Sequence, residues 1–199
     1  MPVPAIILAA GASRRLGQPK QLVRIGDETL LGRTVRLVME AGAGPVFVVL
    51  GAHRESIVGE VDLTRVHTVF NPDWEQGIAS SIRAGILTLQ QELPDAAAAL
   101  LLVCDQQRLT ADYLRELTAV FDTGVEPAIV ASEYVGIAGI PAIFPVSEFE
   151  TLLGLRGDEG ARRLMRNPRC SLVTVSFDGG EVDVDTLADL AHATRTSEG

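Results

Sequence analysis

Cysteine is scarce in this chain. Cys104 and Cys170 are the only two among 199 residues, and both stand in apolar surroundings. They read as buried thiols, not as a disulfide framework. Histidine is nearly as rare. His53, His67 and His192 show no metal-ligand spacing and read as surface or loop residues. Positive charge is the minority sign, with 17 Lys and Arg against 26 Asp and Glu and a formal net charge of −9. That balance argues against nonspecific binding of DNA or RNA. No apolar run approaches the length needed to span a bilayer. The N-terminus lacks the basic region and long apolar stretch of a secretory signal. These absences predict a cytoplasmic protein with neither nucleic acid nor membrane as a partner.

What is present begins at the first apolar run. Ile6-Ile7-Leu8-Ala9-Ala10 empties into a turn that holds Gly11, Arg14, Arg15, Gly17 and Lys20. Small residues let backbone N–H groups approach phosphate oxygens, and fixed cations neutralise them. Arg14, Arg15, Lys20 and Arg24 place four cations within eleven residues of an acidic chain. Neither familiar phosphate loop is met. Five residues separate Gly11 from Gly17 and Gln18 follows, so G-x-x-x-x-G-K-[ST] fails; Ser13 breaks G-x-G-x-x-G. On this chemistry the segment is either an anion site or an ordinary strand–turn–helix connection with surface arginines.

Hydrophobic content of 47% fits one domain with a substantial core. Strand-like and helix-like segments alternate: strands at Pro4–Ala9, Val46–Leu50, Val66–Phe70, Ala97–Cys104 and Pro127–Ser132, helices at Leu30–Ala41, Arg54–Val61 and Ile78–Gln91. Thr110 reads as the N-cap of a helix through Asp122. Fully apolar strands between amphipathic helices predict a parallel sheet covered on both faces, with ligands beyond the carboxyl ends of its strands. Tyr134–Pro145, rich in Gly and Pro, predicts a strand with a return. Helical stretches follow at Val146–Leu155 and Ala161–Arg166, then a strand at Leu172–Phe177 and a last helix at Thr186–Ala193. The closing residues Thr194–Gly199 are expected to fray.

Three places carry chemistry. Asp105 ends the run Ala99–Cys104, at the strand edge that also carries the Gly11–Lys20 turn. It either shares a Mg²⁺ with a polyphosphate or caps a turn onto Gln106 and Gln107. In Val182-Asp183-Val184-Asp185-Thr186 the two carboxylates face one side of an extended chain, and either complete a metal site or cap the last helix. Asn71–Gly77 is a polar turn before a helix whose first turn holds Ser80 and Ser81. Trp74 within it either stacks on a base or anchors the loop.

These pieces, in this order, resemble the molybdopterin nucleotidyltransferase family of Rossmann-like nucleotidyltransferases. Leu8, Ala9, Ala10, Gly11, Ser13, Arg15, Gly17 and Lys20 meet its opening L-A-[AG]-G-x-S-x-R-[ML]-G-x-x-K. Asn71, Trp74, Gly77, Ser81 and Ile82 fit N-x-x-W-x-x-G-x-x-x-S-[IL], Asp105-Gln106 fits D-Q-P, and Val182–Thr186 fits V-D-[IV]-D-T-P. Gly139, Pro141 and Phe144, with Gly157-Asp158 and Gly160-Ala161-Arg162, fit its substrate-side segment. Gln107 and Leu187 stand where the family usually has proline.

The resemblance implies an α/β, Rossmann-like three-layer sandwich, with a mostly parallel central sheet and an antiparallel addition near the C-terminal half. It implies a single nucleotidyltransferase domain over residues 1–199. Lys20 and Arg15 would hold the triphosphate and act in catalysis with Asp105. Asp105 and Asp185 would hold Mg²⁺, with Mn²⁺ as the alternative metal. Leu8, Ala9, Ala10 and Gly11, with Gly77, Ser80 and Ser81, would enclose base and ribose. Gly139, Pro141, Asp158 and Arg162 would border the pterin. Ala9-Ala10-Gly11 resembles the cytidylyltransferase branch, which implies CTP and molybdenum-molybdopterin as substrates and transient contact with a recipient molybdenum enzyme. A guanylyltransferase of the same cofactor and a nucleotide-sugar-type transferase are the enzymatic alternatives. A non-catalytic protein that delivers cofactor to molybdenum enzymes is the alternative of another class.

Overall fold

A computed structural model describes residues 2–124, 126–167 and 171–180. Strand β1 (Ala5–Ala9) leads through the glycine-containing loop to one 3-10 turn at Lys20–Leu22. A short hairpin of β2 (Arg24–Ile25) and β3 (Glu28–Thr29) then enters α1 (Leu30–Glu40). Strand β4 (Val46–Leu50), α2 (Arg54–Glu60) and β5 (His67–Phe70) follow. A 3-10 turn at Trp74–Gln76 precedes α3 (Ile78–Glu92), β6 (Ala98–Val103) and α4 (Ala111–Thr123). The chain continues through β7 (Ile129–Tyr134), β8 (Ile137–Pro145), α5 (Phe149–Leu153), α6 (Arg162–Met165) and β9 (Leu172–Ser176). The predicted last helix at Thr186–Ala193 and the frayed end lie outside the described residues.

One sheet of seven strands runs in the order β5-β4-β1-β6-β8-β7-β9. β5, β4, β1 and β6 are mutually parallel, β8 is antiparallel to β6 and to β7, and β9 is parallel to β7. Among the described strands, β8 alone runs against both of its neighbours in this sheet. The fold is therefore the mostly parallel sheet that the apolar strands predict, with the antiparallel addition that the family resemblance implies.

Alternation along each strand sorts the core into two layers. Ala5, Ile7 and Ala9, with Val46, Val48 and Leu50, face α1, α2 and α4. Ile6, Leu8 and Ala10, with Phe47 and Val49, face α3, α5 and α6. Both faces being covered, the central strands carry no polar residue. Caps set the entries of two helices: the Thr29 side chain accepts from Gly32 N and the Thr110 side chain from Tyr113 N.

The return predicted within Tyr134–Pro145 differs in detail. β7 extends to Tyr134, and the chain reverses at Val135 (φ 53°) and Gly136 (φ 70°). Two positive φ angles match the right-handed twist of a hairpin better than a wider loop. Pro141 is tolerated inside β8 because the β7–β8 register slips between Ala131 and Ser132, and the Ser132 hydroxyl donates to the Pro141 carbonyl at 2.6 Å. The helical stretch predicted at Val146–Leu155 divides into a 3-10 turn and α5, and the following one shortens to α6.

Candidate active site

The site is built at the carboxyl edge of the parallel strands. Leu8 of β1 pairs with Val103 of β6, so the loop leaving Ala9 and the turn carrying Asp105 emerge side by side. β8 pairs Ala142 with Leu101 of β6, and its earlier residues therefore rise past that edge as a wall.

The loop is held from within. Leu16 is buried in a small cluster with Val23 and Leu30. The Ser13 hydroxyl accepts from the Lys20 backbone N–H at 3.0 Å, and Leu16 N donates to Ser13 O at 3.0 Å. Gln21, fully buried, donates from Nε2 to the carbonyls of Ala9 (2.7 Å) and Gly11 (3.0 Å). That one amide ties the end of the loop to its beginning. Nothing in the sequence marks Gln21 for this task, since glutamine is ordinarily a surface residue.

Lys20 Nζ pairs with Asp105 Oδ2. The lysine side chain is 24% exposed and the carboxylate 8%. Among the described residues, the other carboxylate oxygen, Oδ1, is buried and has no hydrogen-bond partner. Asp105 does not cap the turn after β6; that turn closes through Leu109 N donating to Gln106 O at 3.2 Å. Behind it, burial and then the charge of Asp105 push the Cys104 thiol up to about 12. A thiol so protonated at neutral pH is no nucleophile. Gln106, also buried, donates to the carbonyls of Ile140 (2.9 Å) and Gly180 (3.2 Å) and joins the turn to the β8 wall.

A cleft of about 470 Å³ opens over this edge, lined by Leu8, Ala10, Gly11, Ala12, Ser13, Arg14 and Lys20 on the loop side. Trp74, Glu75, Gly77, Ile78, Ser81, Val103 and Asp158 complete it. The predicted residues Leu8, Ala10, Gly11, Lys20, Gly77, Ser81 and Asp158 thus share one space, with Asp105 joined through Lys20. A larger groove, of about 640 Å³, lies between α1 and the Val61–Arg65 segment and carries none of the predicted site residues.

Other predicted positions fall elsewhere. Ala9 is buried in β1, below the cleft. Arg15 is exposed and is not among the lining residues, whereas its neighbour Arg14 is. The loop turns through Ser13 (φ 52°), just before the two arginines. Ser80 is buried and committed to the loop: its hydroxyl donates to Gly77 O at 2.8 Å and accepts from Asn71 Nδ2 at 2.9 Å. Ser81 accepts from the same Asn71 amide at 3.0 Å and faces the cleft. Trp74 packs as an anchor, because a side chain at Gly51 would meet its Cβ at 2.6 Å. Gly77 (φ 95°) is crossed so closely by Gly157 that a Cβ there would overlap backbone.

Gly139 and Arg162 meet at a second place, on the β8 side. The Arg162 guanidinium donates to the Tyr134 hydroxyl at 2.6 Å, and its centre lies 5.5 Å from that ring. A side chain at Gly139 would meet Arg162 Nη2 at 2.9 Å. Pro141 is buried inside β8. Asp185 lies outside the described residues. Among those described, no group of three or more His, Cys, Asp or Glu could hold a metal ion by itself. A cation here would rest on Asp105 and on oxygens of a bound polyphosphate, a donor set that Mg²⁺ favours.

Comparison with known proteins places the chain in a family. Residues 5–175 match the family model described as the MobA-like NTP transferase domain. A "Probable molybdenum cofactor guanylyltransferase" of Opitutus terrae is 30% identical over 169 residues, 82% of this chain and 72% of that protein. The molybdenum cofactor cytidylyltransferase of Escherichia coli is 26% identical over 145 residues, 71% of this chain and 69% of that one. The nicotine blue oxidoreductase of Paenarthrobacter nicotinovorans is 28% identical over 204 residues, 94% of each. Among solved structures, Rv0371c of Mycobacterium tuberculosis superposes with a TM-score of 0.85 at 28% identity, covering 98% of this chain and 99% of that one. The same protein has also been crystallised with manganese. This chain belongs to the family of MobA-like NTP transferases and is a nucleotidyltransferase by that membership.

Proposed function

We propose that this protein is a cytoplasmic, divalent-metal-dependent cytidylyltransferase that moves CMP from CTP to the terminal phosphate of molybdenum-molybdopterin and releases pyrophosphate. The observation that carries the reading is the meeting of Lys20 and Asp105 at the mouth of the glycine-containing loop. The buried, unpartnered Oδ1 of Asp105 fits a metal ligand, and the loop and Lys20 fit a triphosphate. Ala9-Ala10-Gly11 and the Escherichia coli relative favour cytidine; the Opitutus relative favours guanosine. The manganese complex of Rv0371c supports Mg²⁺ or Mn²⁺ as the ion. Among the described residues no helix is long and apolar enough to cross a membrane.

In this reading an acceptor phosphate oxygen bonds to the α-phosphorus of CTP while the bond from that phosphorus to the bridging oxygen breaks. A phosphate monoester with a second pKa of about 6 is already largely ionised at neutral pH, so the chain needs no general base. The difficulty is one anion approaching another. Lys20, with Arg14 in the cleft and Arg15 beside it, reduces that repulsion and stabilises charge on the leaving pyrophosphate. A metal held by Asp105, and by Asp185 as the resemblance implies, would add Lewis-acid stabilisation of the same charge. Gln21 keeps the loop carbonyls turned away from the phosphates. Arg162 and Tyr134 offer the acceptor a cation on the β8 side.

Incubation with each labelled triphosphate, Mg²⁺ and molybdenum-molybdopterin tests the proposal by the nucleotide that yields pyrophosphate. CTP is expected. Turnover of GTP alone would move the assignment to the guanylyl branch, and cofactor binding with no turnover would favour a delivery protein.

A further inference from the structure

The cleft carries charge of both signs. Arg14 and Lys20 line it from the loop that follows β1, and Glu75 and Asp158 line it from the segments that meet at Gly77. A triphosphate can lie only toward the first pair. The base of the same nucleotide is then directed toward the second pair.

Asp158 is held there by its neighbours. Arg83 Nη1 donates to Leu155 O at 2.8 Å and Ala79 N donates to Gly157 O at 3.1 Å, so α3 grips the segment on both sides of Arg156. Gly157 crosses Gly77 at backbone contact, and a Cβ on Gly77 would meet Asp158 Oδ1 at 2.6 Å. The carboxylate therefore lies over the start of α3, beside Ile78 and Ser81. Its neighbour Glu159 is engaged, accepting from Arg156 N and pairing with Arg163. Among the described residues the Asp158 carboxylate takes part in no hydrogen bond or ion pair.

We infer that Asp158 reads the base of the bound nucleotide by accepting a hydrogen bond from its exocyclic amino group, and so separates CTP from UTP. The resemblance drawn from sequence places Asp158 toward the pterin; its seat over Gly77 directs it to the nucleotide instead. A carboxylate only accepts. Cytosine presents an amino group at C4, whereas uracil presents a carbonyl oxygen, which a carboxylate repels. Asp158 is exposed to the cleft, so solvent screens the contact and the discrimination lies at the low end of that for a charged hydrogen bond. This inference rests on the nucleotidyltransferase reading above and deepens it.

Calorimetric binding of CTP, UTP and GTP, each with Mn²⁺ and without acceptor, tests it in the parent and in Asp158→Asn. The parent should bind CTP about tenfold more tightly than UTP, the low end of the range for a hydrogen bond to a charged group. Asp158→Asn, whose amide both donates and accepts, should bring the two within about threefold, because an amide serves either base. Asp158→Ser checks the result with a shorter side chain. A parent that binds CTP well but keeps its CTP-to-UTP ratio in Asp158→Asn overturns this inference and leaves the cytidylyl reading standing. A parent that prefers GTP, yet loses CTP-to-UTP discrimination in the variant, overturns the cytidine assignment and leaves the role of Asp158. Binding of no triphosphate overturns both.

Discussion

Replacing Lys20 with methionine should make the protein bind metal better and work worse. Lys20 Nζ occupies one oxygen of Asp105, and among the described residues the other oxygen is buried without a partner. A divalent ion approaching Asp105 must therefore displace a cation and tolerate its charge nearby. A hydrogen bond between charged groups contributes about 1.5–3 kcal/mol. Lys20 is a quarter exposed, at 24%, which favours the lower half of that range because solvent screens the pair. Losing about 1.5–2 kcal/mol of competition tightens metal binding roughly tenfold to thirtyfold. Methionine keeps much of the stem and removes only the ammonium. Mn²⁺ titration without nucleotide, followed by the electron paramagnetic resonance of the free ion, reads the effect directly. Asp105→Asn serves as the control that should lose the site. Turnover in Lys20→Met should meanwhile fall by about a hundredfold or more, as when one transition-state donor is removed. Unchanged or weaker Mn²⁺ binding in Lys20→Met would refute the idea that Lys20 stands in for the metal on Asp105, and near-normal turnover would refute its part in catalysis.

Other perturbations have defined outcomes. Asp105→Asn should abolish metal-dependent pyrophosphate release while circular dichroism stays that of the parent; full Mg²⁺-dependent activity would remove Asp105 from the metal site. Gln21→Leu keeps bulk but frees the carbonyls of Ala9 and Gly11. Two lost hydrogen bonds at about 1 kcal/mol each should raise the KM for CTP by roughly tenfold or more, and an unchanged KM would show that the loop holds itself. Gly77→Ala should cost stability and nucleotide binding together, because the added methyl must displace Gly157; an unaltered melting temperature would contradict the close crossing. The Cys104 thiol, raised to about 12, has its proton throughout the neutral range and loses it only as pH climbs toward that value. In a Cys170→Ser background the native protein should therefore resist thiol reagents at pH 8, and fast labelling would show that Cys104 is not buried.

Sequence alone determined the layers and the edge on which the site is built. The apolar runs of β1, β4 and β6 admit only a sheet covered on both faces, because a strand with no polar residue has no face to give to water. Lys20 and Asp105 were legible because each ends or follows such a run, and strand ends are where a parallel sheet opens. Tertiary structure decided what spacing cannot encode. Gln21 became a loop strap only when folding brought its amide beneath two carbonyls, which its ordinary polarity does not announce. Arg14 lines the cleft and Arg15 does not, a difference between adjacent identical residues that only the path of the folded loop sets. Asp158, eighty-one residues after Gly77, lies over it because α3 holds the Gly157 carbonyl. Local pattern fixes which residues are buried, since water acts on each segment separately; which polar groups meet is set by long-range packing, which no window of the sequence contains.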